Sequence, residues 1–367
     1  MPYIEPEIYR GRCFPVCIGG FVVTNDVKNI LLVRIDRIGD VILSLPMLPL
    51  LKRRYPNAAI SVLIRPYTRE LVERHSCVDE VLMYEHEDNL RSLWSVLREI
   101  RKRRFDVAII PYPRFRPALI LFLAGVHVRV GSGYRWYSFL FNQRVFEHRK
   151  DAKRHEVEYN LNLLRPLGID GRSEPEFDFS ASSSAQAAIN ALMTEKSIAP
   201  KEDFIILHPG SGGSARDWSA ANFSRLGSEV QERLGTKVIV TGGKGEEGLV
   251  QKVVAGMSGT PVAVVGALSL PELGELIRRA KVFVSNSTGP MHIAAAVGTP
   301  VVAFFPPIIQ CSPVRWGPYT RKKKVFVADN KNCRLCMGSP CRSDVCMDQI
   351  HADEVCAAIK EFLNEQK

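Results

Sequence analysis

Ile30-Leu-Leu-Val-Arg-Ile35, running into Asp36-Arg-Ile-Gly-Asp40, is the stretch that decides the class of fold. An apolar run of this length suits a strand buried on both faces, as strands of parallel sheets are. The turn at Gly39 and Asp40 then opens an apolar helical stretch that ends near Tyr55-Pro56. Outward from there, Ala59 to Ile64 reads as a second strand and Val78 to Met83 as a third. Leu90 to Arg103 reads as an amphipathic helix and Asp106 to Ile110 as a fourth strand. Strands alternating with helices predict a parallel sheet with right-handed crossovers.

The pattern weakens between Gly131 and Pro175 and then begins again. Ser180 to Glu195 reads as a helix. Strands are expected at Phe204 to Leu207, Lys237 to Thr241, Val262 to Val265, Val282 to Ser285 and Pro300 to Phe305. Helices at Ala220 to Leu234, Glu246 to Met257, Pro271 to Ala280 and Pro290 to Val297 separate them, and Ala352 to Glu365 closes the chain as a charged helix. The expected organisation is a leader over residues 1–28, one domain over 29–178, a second over 179–350 and a final helix over 351–367. The expected fold is α/β, with two Rossmann-like doubly wound domains facing a central cleft. Ligands of such domains bind beyond the carboxyl ends of the strands.

Composition narrows the partners. The 367 residues are 46% hydrophobic and 24% charged, which is globular. Nowhere do 18 apolar residues run together, and Phe14 to Val23 is too short to span a bilayer. The expected location is the cytoplasm, including the inner face of the inner membrane. Net charge is +10, and residues 89–155 hold 15 Lys and Arg against 4 Asp and Glu, a net +11. That field suits an anionic glycolipid or a membrane surface, and the same runs read equally as solvated helix faces. Nucleic acid is disfavoured, because no recognition module accompanies the basic runs.

Three strand-to-helix turns carry candidate nucleotide chemistry. His208-Pro-Gly-Ser-Gly-Gly-Ser214 is a plain turn or lets backbone N–H groups approach a phosphate, with Ser211 adding a hydroxyl, Gly212 a further donor contact and Arg216 a cation just beyond. Thr241-Gly-Gly-Lys-Gly-Glu246 has neither the dinucleotide fingerprint nor P-loop spacing, so hydride transfer and P-loop ATP hydrolysis are disfavoured. Asn286-Ser-Thr-Gly-Pro-Met-His292 puts Thr288 and Gly289 at the mouth of a helix, where free N–H groups favour a diphosphate. Asp40 either caps the helix it opens or takes a proton from an acceptor hydroxyl, with Asp36 a weaker competitor. Arg65, Arg69, Arg114 and Arg116 lie on loops after first-domain strands, where they can grip acceptor phosphates or carboxylates or serve as plain surface arginines.

Taken together these motifs resemble glycosyltransferase family 9, the lipopolysaccharide heptosyltransferases. The resemblance rests on Val33-Arg-Ile-Asp-Arg-Ile-Gly-Asp-Val-Ile-Leu-Ser-Leu-Pro46, Lys52-Arg-Arg-Tyr-Pro-Asn57, Leu207-His-Pro-Gly-Ser211, Arg216-Asp-Trp218, Gly242-Gly-Lys-Gly-Glu246 and Ser287-Thr-Gly-Pro-Met-His-Ile-Ala-Ala-Ala296. His155-Glu-Val, Leu161-Asn-Leu-Leu164 and Leu167-Gly-Ile169 add to it, and it runs from about residue 29 to the C-terminus. It implies the GT-B fold, an acceptor on the first domain and a nucleotide sugar, ADP-heptose in this family, on the second. It implies inverting transfer to a lipopolysaccharide-type acceptor with Asp40 as general base. Arg216 stands where the family usually has a lysine that neutralises the leaving diphosphate. Glu246 matches a nucleoside contact, Leu268 an apolar residue against the base, and Thr288, Gly289 and His292 the diphosphate and sugar contacts. Ser287 replaces an aspartate common at that turn, and the expectation is transfer with no required metal and no cofactor. A transferase with another donor and a binding module without turnover are the rival readings. Cys333, Cys336, Cys341 and Cys346, with Cys311 nearby, lack the usual zinc spacing and read as reduced thiols or a labile disulfide.

Overall fold

The computed structural model describes residues 26–85, 90–171, 175–179, 181–213, 216–329 and 346–366. The first domain is built on β1 (Asn29–Val33), β2 (Ala59–Ile64), β3 (Glu80–Met83), β4 (Val107–Ile109), β5 (Val128–Ser132) and β6 (Gln143–Val145). The second is built on β7 (Phe204–His208), β8 (Lys237–Gly242), β9 (Val262–Val265), β10 (Val282–Asn286), β11 (Val301–Phe305) and β12 (Lys323–Val327). Their orders are β3-β2-β1-β4-β5-β6 and β12-β11-β10-β7-β8-β9, with every strand pairing among the described residues parallel. Each half therefore reverses direction beside its first strand, at β1/β4 and β7/β10. A ligand crevice belongs at such a switch point.

The helices follow the strands. In the first domain they are α1 (Ile38–Ile42), α2 (Met47–Arg54), α3 (Leu90–Arg103), α4 (Phe115–Leu123) and α5 (Glu156–Asn162). After α6 (Ser183–Glu195) come α7 (Ala220–Leu234), α8 (Glu247–Ala255), α9 (Leu270–Arg279), α10 (Gly289–Ala296), α11 (Pro313–Trp316) and α12 (Ala352–Glu365). Local chemistry sets several of these ends. Ser269 and Glu272 form a capping box at α9 with Pro271 in its first turn, and Gly235 closes α7 in the left-handed region. Trp218, Phe223 and Phe304 are fully buried against one another, and each such side chain contributes roughly 1.5–3 kcal/mol. A second apolar cluster runs unbroken from Ile30 and Leu48 through Leu161 to Phe283 and Met291, so the two domains share packing.

The structure refines the expected elements. The helical stretch after β1 divides into α1 and α2 around Pro46. Elements α4, β5, β6 and α5 occupy 115–162, much of it where the alternating pattern fades, and β12 adds an edge strand that was not expected. Val27 is buried and the Lys28 carbonyl accepts the Ala59 N–H, so the last residues of the expected leader join the first sheet. Residues 1–25 lie outside the described residues, as do Cys333, Cys336 and Cys341. Cys346 is buried in the apolar core of the second domain.

Candidate active site

Because all strands run parallel, the turns after β1, β7, β8 and β10 gather at facing rims of the two sheets. They enclose two cavities. The larger, about 450 Å³, has the Gly-rich turns on one side, with Ser211, Gly212, Gly243, Lys244 and Glu246. Its apolar wall is Val264, Leu268, Leu270 and Leu273, and Arg37, Ile38 and Tyr67 close it from the first domain. The smaller, about 350 Å³, is lined by Gly39, Asp40, Ser287, His292, Gln310, Cys311 and Trp316. Arg37, Thr288 and Gly289 line both. A ligand occupying both cavities would pass the amino end of α10 at this waist, where unsatisfied N–H groups favour negative charge.

Close backbone approach shapes the larger cavity. The Glu246 carboxylate accepts the Gly243 N–H at 2.8 Å. A side-chain carbon at Gly210 would sit 2.0 Å from Glu246 Oε1, so glycine is what admits that carboxylate. Gly212 lies in the left-handed region at φ +56°. The Ser211 hydroxyl is buried without a hydrogen-bond partner among the described residues. His208 forms the floor, its Nδ1 2.9 Å from Thr241 Oγ1. Burial pushes the His208 pKa down to about 4, against the pull of Glu246, so the ring is neutral near pH 7.

Asp40 sits in the wall of the smaller cavity and is tied on two sides. Its Oδ2 accepts the Arg37 N–H at 3.3 Å, which ties the carboxylate to the backbone that opens α1. Its Oδ1 accepts from Arg34 Nη2 at 2.5 Å. Arg34, 1% exposed at the end of β1, also pairs with Asp36 at 3.3 Å and faces Glu156 at 3.7 Å. Burial opposes the charge on Arg34, yet Asp40, Asp36 and Glu156 raise its pKa above the ordinary value. Burial likewise raises the Asp36 carboxyl, against Arg34.

Glu156, 1% exposed on α5, joins this network to the second domain. It accepts from Arg149 and, at 2.9 Å, from Arg315 Nε of α11. Burial works against ionisation of Glu156, but Arg149, Arg34 and Arg315 hold its carboxyl below the usual range. Beside it, His155 Nδ1 accepts the Val157 N–H, so its Nε2 donates to the Gly317 carbonyl at 2.7 Å. Burial lowers the His155 pKa to about 4 and that of His292 to about 3. His292 Nδ1 is buried with no hydrogen-bond partner among the described residues.

Of the residues singled out in the sequence, Asp40, Ser211, Gly212, Glu246, Leu268, Ser287, Thr288, Gly289 and His292 all line these two cavities. Arg216 is half-buried and is not among the residues lining them; Ser214 and Ala215 before it lie outside the described residues. Arg114 comes within 3.8 Å of Asp36, and Arg65 buries its Nε nearby. Arg69 instead bonds Glu73 at 2.8 Å on an exposed face, and Arg116 is exposed. Sequence reasoning assigned no role to His208, Arg37, Arg34 or Glu156. Only His208 offered a signal, as a histidine directly before the first Gly-rich turn.

Residues 93–346 match the family profile described as glycosyltransferase family 9 (heptosyltransferase). Lipopolysaccharide heptosyltransferase 3 of Escherichia coli (strain K12) is 25% identical over 340 residues, covering 89% of this chain and 96% of its own. The glycosyl transferase family 9 structure from Veillonella parvula superposes with a TM-score of 0.81 at 22% identity, over 93% of this chain and 100% of that one. E. coli heptosyltransferase WaaC with ADP gives a TM-score of 0.70 at 17% identity, over 91% and 99%. At these identities the two structures speak for the shared fold.

Proposed function

The chain belongs to glycosyltransferase family 9 and has its GT-B fold, and from that premise we propose that it transfers heptose from ADP-heptose to a lipopolysaccharide core acceptor, inverting the anomeric centre. The observation that carries this reading is the pair of cavities joined at Arg37, Thr288 and Gly289, with Asp40 in the wall of the smaller. The nucleoside takes the larger cavity, its base against Leu268 and its ribose toward Glu246. The diphosphate lies at the waist by Ser211, Gly212, Thr288 and Gly289, and the sugar enters the smaller cavity beside Ser287 and His292. Relatives named as lipopolysaccharide heptosyltransferases, and a fold-mate solved with ADP, support this choice of donor and acceptor.

The acceptor hydroxyl attacks the anomeric carbon from the face opposite the diphosphate while Asp40 takes its proton. The bond to the diphosphate oxygen breaks, and ADP departs with the electron pair. Charge developing on that oxygen meets the N–H groups opening α10 and the cation Arg37, which lines both cavities. Arg34 fixes the Asp40 carboxylate so that its second oxygen can face the incoming hydroxyl. Arg65 and Arg114, at the edge of the same rim, draw acceptor anions toward it. This chemistry needs no metal or cofactor. The test is incubation with ADP-heptose and a heptose-deficient core acceptor, following ADP release and the anomeric configuration of the product. Release of ADP with inversion is expected; retention, or no transfer under these conditions, would overturn the reading.

A further inference from the structure

Between residues 107 and 150 every exposed charged side chain is a cation. Arg114, Arg116, Arg135, Arg144 and Lys150 are exposed, while the one acid in the stretch, Glu147, is half-buried and bonded by Asn162. On the same stretch aromatic rings stand in water: Trp136 is 74% exposed, Phe139 60% and Phe146 61%. Single exposed rings are ordinary, but two of these three pack on further aromatic rings. Trp136 stacks on Phe115 with ring centres 5.0 Å apart, and Phe146 packs edge-on against Tyr134 at 5.5 Å. The rings sit on α4, on the segment joining β5 to β6, and at the end of β6, which is an edge strand of its sheet.

Rings held outward among cations, with no exposed acid between them, match the chemistry of one partner class. Amphipathic aromatic rings settle at the headgroup level of a bilayer, and arginines pair with lipid phosphates. We propose that this face docks on an anionic lipid bilayer, with Trp136, Phe139 and Phe146 entering the interfacial layer and Arg135 and Arg144 on the phosphates. Its position suits the proposed reaction. Arg114, on the same face, lies 3.8 Å from Asp36, whose partner Arg34 holds Asp40. A docked enzyme would thus present the base-bearing cavity to an acceptor anchored in that bilayer. Only this last step rests on the proposed acceptor; the docking itself does not.

The full chain, without donor or acceptor, is mixed with vesicles of phosphatidylcholine alone or with one-third phosphatidylglycerol, and binding is read by sedimentation and tryptophan emission. Expected are co-sedimentation with the anionic vesicles only, a blue-shifted emission that is lost in Trp136→Phe, and release by high salt. The combined variant Trp136→Ser, Phe139→Ser and Phe146→Ser should keep the melting temperature and lose binding at least tenfold. Its transfer to a lipid-free core oligosaccharide should stay within a few-fold of the parent. Absent binding, equal binding to neutral vesicles, or full binding by the serine variant each overturns the docking face. So does a selective loss of transfer to the lipid-free oligosaccharide, which would make the rings a saccharide subsite. Failure of transfer with every acceptor, alongside intact vesicle binding, would instead count against the proposed function alone.

Discussion

Arg315 Nε lies 2.9 Å from Glu156 Oε2, so a cation of the second domain completes the cage around a buried carboxylate of the first. Two more arginines, Arg149 and Arg34, face the same carboxylate, and Arg34 also holds Asp40. One buried anion thus ties the domain interface to the proposed base. Removing one member of a buried ionic set leaves uncompensated charge, which typically costs about 3–5 kcal/mol. Glu156→Gln should therefore lower stability by roughly that amount in chemical denaturation, and turnover should fall with it. A variant as stable as the parent would show that solvent, rather than Glu156, balances the three arginines.

Asp40→Asn separates the cap from the base. As a cap alone, asparagine serves nearly as well as aspartate, and the change would cost less than about 1 kcal/mol. The bond from buried Arg34 alters that expectation, because a hydrogen bond to a charged group contributes about 1.5–3 kcal/mol. The variant should therefore be measurably less stable yet folded, with ADP affinity unchanged. Its turnover should fall about a hundredfold to ten-thousandfold, as loss of a general base does. Turnover within a few-fold of the parent would remove Asp40 from the chemistry.

Nucleotide preference tests the larger cavity. On the proposed placement of the base against Leu268 and the ribose toward Glu246, calorimetry should find ADP at least about tenfold tighter than UDP or GDP, a difference of about 1.4 kcal/mol. The reverse order would exclude ADP-heptose as donor and leave the transferase class standing.

Gly289→Ala tests the waist. Alanine is favoured over glycine within a helix by about 1 kcal/mol, so propensity alone argues for a gain. The new carbon would lie 2.8 Å from Ile38 Cβ and 3.0 Å from its Cγ2, across the domain interface. Overpacking of this kind costs about 1–3 kcal/mol and should spread α1 from α10. The expected result is a drop in kcat/KM for donor of about tenfold or more, with a fall of about a few degrees in melting temperature. Unchanged kinetics would mean that the domains need not approach this closely.

Acid should weaken the protein through its histidines. His155 and His208 are held at about 4 and His292 at about 3, each below the ordinary 6.5. Unfolding lets all three take up protons that the native state refuses, so stability is retained above pH 6.5 and lost as pH falls toward 4. Each contributes a slope of up to about 1.4 kcal/mol per pH unit within that window. Melting temperatures measured from pH 7.5 to 5 should fall, and less steeply in His155→Asn, which can still cap α5. An unchanged slope in that variant would mean that His155 does not remain neutral.

The sequence made the Gly-rich turns legible because each combines a local strand pattern with glycines and a helix start. It made Asp40 legible by position alone. It did not reveal Arg34 as a buried hub: an arginine inside an apolar run gives no hint that Asp36, Asp40 and Glu156 will converge on it from 2 to 122 residues away. Strand β12, Lys-Lys-Val-Phe-Val, was hidden for a different reason. It is an edge strand opened by two exposed lysines, which leaves only Val325-Phe-Val327 as an apolar run, too short to read as a strand. In α4 the run Ala118-Leu-Ile-Leu-Phe-Leu123 is apolar on every side, and a short run of that kind does not distinguish helix from strand.

At Gly39 and Gly289 the two domains come so near that a single methyl group would strike His292 on one side and Ile38 on the other. For anyone redesigning the donor range, these glycines are fixed points. Variation belongs at Gln310 and Cys311, which line the smaller cavity but not the larger and take no part in the waist. A library confined to that wall should yield altered sugar scope with nucleotide affinity preserved, whereas one that includes the glycines should return mostly inactive, well-folded protein.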